Sequence, residues 1–252
     1  MLTEERHDQI RAQLASKGKV LASVLAGEFG VSEDTARRDL RDLARNGFCR
    51  RVYGGALPPA PDLGAITQRS TTMIDAKEHL AAAVAGLVKA GQTIFIDAGS
   101  TNLAVARTLS REMDLTIVTN APGVAVALSD HPLCRVIMLG GVFNPIKGAC
   151  LGGQTVREVQ RIHADVLVLG SCGVDPQVGV TALDAEEAEL KRCMVQQSRQ
   201  VVVPATLDKL GTVAPYKVAD SSEIDVLVLP NAPDAELMAL FMATRVRILT
   251  AP

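Results

Sequence analysis

The fold class this chain predicts is α/β in two parts, an N-terminal winged helix-turn-helix followed by a doubly wound, mainly parallel α/β domain. Three observations carry it. The first 57 residues hold three stretches of helical apolar spacing and a basic Gly-Gly turn. Pro58-Pro59-Ala60-Pro61 then interrupts regular structure. From about residue 75 onward, short apolar runs alternate with helical patterns, the signature of a parallel sheet covered on both faces. The predicted division is a head at 1–57, a linker at 58–74 and a larger domain at 75–252. A length of 252 residues suits two unequal domains.

In the head, Ile10 and Leu14 mark a first helix that stops near Lys17-Gly18-Lys19. Leu21, Val24, Leu25 and Phe29 have the spacing of a second helix, and Gly30 suits a turn that needs positive φ. Ser32 stands where an N-cap belongs, able to accept a backbone N–H. Ala36, Leu40 and Leu43 give the third helix its apolar face, closed by Asn46-Gly47.

In the second part, strands are expected at 93–97, 116–120, 135–139, 166–169, 200–203, 225–229 and 247–249. Helices are expected at 75–89, 102–111, 122–129, 155–162, 185–199 and 234–244.

Composition bounds the function. Hydrophobic residues make up 48 % and charged residues 21 %, enough for a buried core. Aromatics are scarce, with no Trp and two Tyr, so Val, Leu, Ile and Ala must fill that core. The five cysteines are scattered without a C-x-x-C, which argues for a reducing compartment and against a disulfide framework or a zinc site. Thr3-Glu4-Glu5-Arg6 opens the chain with polar residues, and no apolar run reaches the ~18 residues of a membrane span, so a cytoplasmic protein with no membrane partner is expected.

Net charge is −2 overall, which hides a local excess. Residues 1–57 carry ten Lys/Arg against eight Asp/Glu, and within 35–51 six Arg face only Asp39 and Asp42. At about 100° per residue, Arg37 and Arg41 share one helix face with Arg38 beside them, opposite the apolar stripe. Such arginines often make an ordinary solvated face. Here they follow a Gly-Val-Ser turn and precede a second basic pair, Arg50-Arg51, and a Tyr53-Gly54-Gly55 turn that fits a β-wing. Major-groove reading needs long donors and short side chains near the helix start, so Ser32, Glu33, Thr35 and Arg38 form the base-facing set. Double-stranded DNA is the expected partner.

The second part carries its own constellation. Asp97-Ala98-Gly99-Ser100-Thr101, running into Asn102, joins a strand to a helix, and the free N–H groups, helix dipole and two hydroxyls make an anion cradle. Thr119-Asn120, Gly140-Gly141 and the Gly170–Asp175 run, which includes Gly173, close the next three strands. In an open parallel sheet, ligands bind beyond these carboxyl ends. Lys147 and Gly152-Gly153 lie in a loop that could close over them. Glu187 and Lys191, four apart, are either a surface pair or part of the same site. Cys172 beside this edge reads as a buried thiol, and no G-x-G-x-x-G supports a dinucleotide. No cofactor is expected.

Three strings together resemble the DeoR family of bacterial sugar-responsive transcriptional regulators: E-R-H-D-Q-I at 5–10, F-G-V-S-E-D-T-A-R-R-D-L at 29–40 and G-F-C-R-R-V-Y-G-G-A at 47–56. Ala36 stands where the family usually has Ile or Val, and Tyr53 where it usually has His. The resemblance implies an effector domain similar to pentose-phosphate isomerases that binds a phosphorylated sugar. It implies that Ser100 and Thr101 hold the phosphate, Lys209 adds charge, and Asp97, Asn120, Asp175 and Lys191 face the sugar. In many relatives an Asp begins the loop before the equivalent lysine; here that position is Thr206. A repressor is implied, binding its operator as a homo-dimer or tetramer. The alternative is an aldose–ketose isomerase with a DNA-binding appendage, which needs a carboxylate base. If Lys209 sets the register, that base position falls at Lys191, leaving Glu187 or Asp175 as substitutes.

Overall fold

The computed structural model describes all residues except Asp62, Leu63, Asp234 and Pro252. Two residues of the expected linker and the first residue of the expected last helix therefore lie outside the described residues.

The head is built from α1 (Thr3–Lys17), β1 (Val20–Leu21), α2 (Ala22–Phe29), α3 (Glu33–Arg45), β2 (Arg50–Val52) and β3 (Gly55–Leu57). Gly18 and Gly30 end α1 and α2 in the left-handed conformation, as the turn chemistry predicts. Ser32 caps α3, accepting the Thr35 N–H at 3.2 Å. Ile10, Leu14, Leu25, Ala36, Leu40 and Leu43 make the head's core. Asp39, on the same helix, is buried and accepts two bonds from Arg6, at 2.7 and 3.0 Å, which ties α1 to α3. Strand β3 lies between β1 and β2 in an antiparallel sheet. A Cβ on Gly55 would overlap the Val20 carbonyl oxygen, so glycine is what lets β1 join the wing. Leu21 and Val24 depart from the expected apolar face: they are 45 % and 47 % exposed, because Ala22 and Leu25 take the inward positions of α2.

The second domain follows α4 (Ile66–Arg69). Its elements run α5 (Ile74–Ala85), β4 (Thr93–Ile96), α6 (Ser100–Thr108), β5 (Leu115–Thr119), α7 (Pro122–Ala127), β6 (Cys134–Met138), β7 (Val142–Asn144), β8 (Ala149–Leu151) and α8 (Gly153–Val159). They continue β9 (Val166–Val168), β10 (Gly173–Asp175), β11 (Gly179–Ala182), α9 (Ala185–Gln196), β12 (Val201–Pro204), β13 (Tyr216–Ala219), β14 (Val226–Leu229), α10 (Ala235–Met242) and β15 (Arg247–Thr250). Short 3-10 turns at Leu207–Lys209 and Ser221–Glu223 flank β13.

All seven expected strands form one parallel sheet in the order β15-β14-β12-β9-β4-β5-β6. Side-chain alternation splits its core into two layers. Ile94, Ile96, Val226 and Val228 pack with Leu80, Val84 and Val105 of the α5 and α6 side. Phe95, Leu227 and Leu229 pack with Leu190 and Met194 of α9 on the other. The winding direction reverses between β4 and β9, and at such a switch point loops diverge to leave a crevice.

Two expectations change here. Residues 140–152 are not a plain loop: β7 and β8 pair as a hairpin. The 173–175 run does not end a strand of the main sheet, because the chain leaves β9 near Gly170 and β10 joins a separate antiparallel sheet in the order β10-β11-β13. The linker residues are also packed rather than free. Ala60 N–H donates to the Val213 carbonyl at 3.1 Å, and Ala60 joins the core of the second domain.

Candidate functional site

At the switch point the ends of β4 and β9 meet through Asp97 and Gly170. The Gly170 N–H donates to Asp97 Oδ2 at 3.1 Å, and Lys191 Nζ from α9 contacts the same carboxylate oxygen. Lys191 also donates to the Gly170 carbonyl at 2.7 Å and pairs with Glu187 at 3.2 Å. A Cβ on Gly170 would sit 2.9 Å from both the Ala98 carbonyl and Asp97 Oδ2, so this crossing needs glycine. Burial disfavours the Lys191 ammonium, but the Asp97 and Glu187 carboxylates outweigh it and raise its pKa above the ordinary lysine value. Lys191 is therefore a fixed cation. The network extends outward through Lys147, which lies 2.7 Å from Asp184 and 3.8 Å from Glu187.

Above this base opens a cleft. Its narrow inner part is bounded by Gly99, Ser100, Thr101, Asn102, Cys172, Glu187 and Lys191. It shares Arg69, Ser100 and Lys209 with an outer recess of about 430 Å³ that Thr206 and Asp208 also line. Ser100 and Thr101 form the first turn of α6, where unpaired backbone donors and the dipole favour an anion. Gly99 faces open space. Burial lowers the Lys209 pKa to about 8, and Arg69 and Lys191 push it the same way. Among the described residues no hydrogen bond or ion pair reaches the Lys209 ammonium or the Arg69 side chain. The buried Arg69 Nε, Ser171 Oγ and Asn102 Oδ1 have no hydrogen-bond partner among the described residues. Two cations, two hydroxyls and a helix N-terminus thus converge with their bonding capacity unspent.

Not every residue expected in the site reaches it. Thr119 donates to the Ile96 carbonyl at 2.6 Å and is fully buried. Asn120 accepts from the Ala98 N–H at 3.2 Å and donates to the Cys150 carbonyl at 3.2 Å, bracing the cradle from behind. Gly140 donates its N–H to Glu158 at 2.7 Å, and it stands with Gly141 and Gly152 outside the cleft. Gly173 packs against Thr212 within the small sheet. Asp175 turns away altogether: it accepts the Gln177 and Val178 N–H groups at 2.9 and 2.8 Å and lines a different cleft, against the head. Asn102 uses its Nδ2 on the Asp97 and Val168 carbonyls, and among the described residues its Oδ1 has no hydrogen-bond partner. Burial pushes the Cys172 thiol up, so it stays protonated.

Arg69 is the residue that sequence reading missed. It ends α4, whose first N–H bonds the Ile146 carbonyl at 2.7 Å, and Lys77 of α5 grips the Arg69 and Thr72 carbonyls. Its one sequence signal is a cation just before the first helix of the domain.

On the head, Arg37, Arg38 and Arg41 all face solvent along α3, with Arg37 bonded to Glu33 at 2.6 Å. Glu33 and Ser32 are exposed at the helix start and Thr35 is half-buried. Arg51 is exposed on β2, Arg50 half-buried, and Tyr53 stands fully exposed at the wing tip. A helix of 13 residues, about 20 Å long, thus presents its basic face beside a basic wing, the geometry of a groove reader.

Residues 6–60 match the family described as DeoR-like helix-turn-helix domain, and residues 72–230 match the DeoR C terminal sensor domain. The chain belongs to the DeoR family. It is 31 % identical over 239 residues to the glycerol-3-phosphate regulon repressor of Escherichia coli K12, covering 94 % of this chain and 95 % of that one. It is 29 % identical over 251 residues to the HTH-type transcriptional repressor GlcR of Bacillus subtilis 168, covering 99 % and 96 %. Among solved structures, ribose 5-phosphate isomerase A from Neisseria gonorrhoeae aligns at 17 % identity over 56 % of each chain, with a TM-score of 0.41. DeoR proteins are transcriptional regulators rather than enzymes, and the isomerase alternative falls with that assignment. Of the residues that could serve as an isomerase base, Asp175 is elsewhere, Lys191 is charged and cannot accept a proton, and Glu187, though it lines the cleft, is paired with Lys191 at 3.2 Å. No helix among the described residues is long and apolar enough to cross a membrane.

Proposed function

We propose that this DeoR-family chain represses a carbohydrate-utilisation operon from the cytoplasm, binding operator DNA as a homo-dimer or tetramer and releasing it when a phosphorylated sugar or related metabolite occupies the switch-point cleft. The single observation behind the effector class is the pairing of Arg69 with Lys209. Beside the α6 N-terminus two half-buried cations face one recess, and among the described residues no carboxylate is bonded to either. A phosphate is the partner that such donors fit. Ser100 and Thr101 would hold it with the first-turn amides, while Glu187, Asn102 and Ser171 would take sugar hydroxyls. Asp97 and Lys191 would act from beneath, holding Gly170 and α9 in register. On the head, Arg37, Arg38 and Arg41 with the short residues at the α3 start would read the major groove, and Arg50, Arg51 and Tyr53 would follow the backbone. The names of the relatives support the same class, since one is a glycerol-3-phosphate regulon repressor.

A thermal-shift screen of the full chain over matched phosphorylated and unphosphorylated sugars tests this. A phosphorylated compound is expected to raise Tm by several degrees, as ligand binding to the native state alone requires. Its unphosphorylated partner should not, and Arg69→Ala or Lys209→Met should abolish the shift. Equal stabilisation by both members of every pair, or none by any, would contradict the effector class.

A further inference from the structure

Residues 206–213 pass three places in a single short run. A 3-10 turn repeats every three residues, so 206 and 209 share one side and 207 and 210 the next. Thr206 and Lys209 line the outer recess of the anion cleft, with Asp208 between them. Leu207 and Leu210, followed by Gly211, line a separate cleft of about 630 Å³ between the two domains. Leu21, Val24 and Leu25 of the head form its facing wall. Val213 then holds the linker by both backbone groups, to Ala60 N–H at 3.1 Å and to the Pro58 carbonyl at 3.3 Å.

The run is internally stiff. Lys209 N–H bonds Thr206 O at 3.1 Å, Leu210 N–H bonds Leu207 O at 3.1 Å, and the Thr212 hydroxyl bonds Lys209 O at 2.8 Å. The seam it touches is loosely held. Among the described residues one ion pair crosses it, Lys19 to Glu236 at 3.1 Å, and both side chains are substantially exposed.

We propose that residues 206–213 are the relay between effector and head. An anion captured between Arg69 and Lys209 draws Lys209 into the recess. The stiff turn carries Leu207 and Leu210 with it, moving their wall of the cleft relative to Leu21 and Val24 while Val213 moves the linker. The effector thereby binds one head arrangement better than another, which is the condition for any switch. This relay rests on the reading of the cleft as an anion site.

Hydrogen exchange on the full chain tests it, with inorganic phosphate as the probe and chloride at matched ionic strength as the control. In the wild type, phosphate is expected to slow exchange at 206–213 by at least about threefold and to change it by about twofold or more at 20–25 and 57–60. The double variant Leu21→Ser/Val24→Ser alters only side chains already half-exposed. It should keep the phosphate response at 206–213 and lose the response at 20–25. A head response that survives in this variant, or a recess response in the wild type with a silent head, overturns the relay and leaves the anion site standing. No phosphate response anywhere overturns the anion site, and the relay with it.

Discussion

Asp97 and Lys191 show what a buried ion pair is for at the base of a site. Both side chains are almost fully enclosed, at 1 % and 2 % exposure, so neither charge is tolerable alone. Removing one partner of such a pair typically costs about 3–5 kcal/mol. Asp97→Ala is expected to cost that much in urea unfolding, and a loss under about 1 kcal/mol would mean that the pair is not formed as described. Lys209 is the opposite case, a cation that the fold burdens rather than satisfies. Its pKa of about 8 lies below the ordinary lysine value because burial disfavours the charge. The folded chain thus binds fewer protons than the unfolded one between about pH 8 and 10.4, so this residue's penalty is present below pH 8 and fades as pH rises through that window. An anion reverses the balance by favouring the ammonium. Phosphate affinity should therefore hold below pH 8 and fall by up to about tenfold per unit above it, a range where the phosphate dianion itself does not titrate. Calorimetric titration reads this directly, and an affinity flat to pH 9.5 would exclude Lys209. Thr119 and Asn120 look like ligand residues in sequence, since polar groups at strand ends usually are, yet their hydrogen bonds close the backbone around Ala98 and Ile96. Arg69 is barely marked in sequence, because its place depends on a contact between α4 and the turn at Ile146.

Among the elements, α3 was legible nearly to the residue. Ser32, the arginine face and Asn46-Gly47 each have a local physical cause, and local causes are visible in one dimension. The parallel strands were legible for a related reason: runs such as Val226-Leu227-Val228-Leu229 are buried on both faces. The hairpin β7–β8 and the β10-β11-β13 sheet were not. These strands are only three or four residues long and carry no unbroken apolar run like that of β14, and β11 is completed by pairing with the distant β13. The functional claim on α3 is that its arginines read bases. Arg37→Ala with Arg38→Ala is expected to remove about 1–3 kcal/mol per lost bidentate base contact. On duplexes selected from random sequence by the wild type, the double variant should show specific affinity reduced to its non-specific level, with sensor-domain phosphate binding unchanged. Retention of the wild-type preference would move the reading surface elsewhere.

At the scale of the whole molecule, the two domains meet at a thin seam rather than a packed interface. Among the described residues, a cleft of mixed polar and apolar lining, one exposed ion pair and the linker's bonds to Val213 join them. Coupling across such a seam is cheap to rearrange, which a regulator requires and a rigid enzyme scaffold does not. Charge alone would not have revealed this design, because the acidic second domain cancels the head's positive excess. The most direct measurement of the account is fluorescence anisotropy of the full chain on its own selected duplex, titrated with phosphorylated sugars and their unphosphorylated partners. At least one phosphorylated compound should weaken DNA binding by about tenfold or more, equivalent to about 1.4 kcal/mol of coupling, with no effect from its partner and none on Lys209→Met. DNA affinity unmoved by every phosphorylated sugar that binds the chain would contradict it.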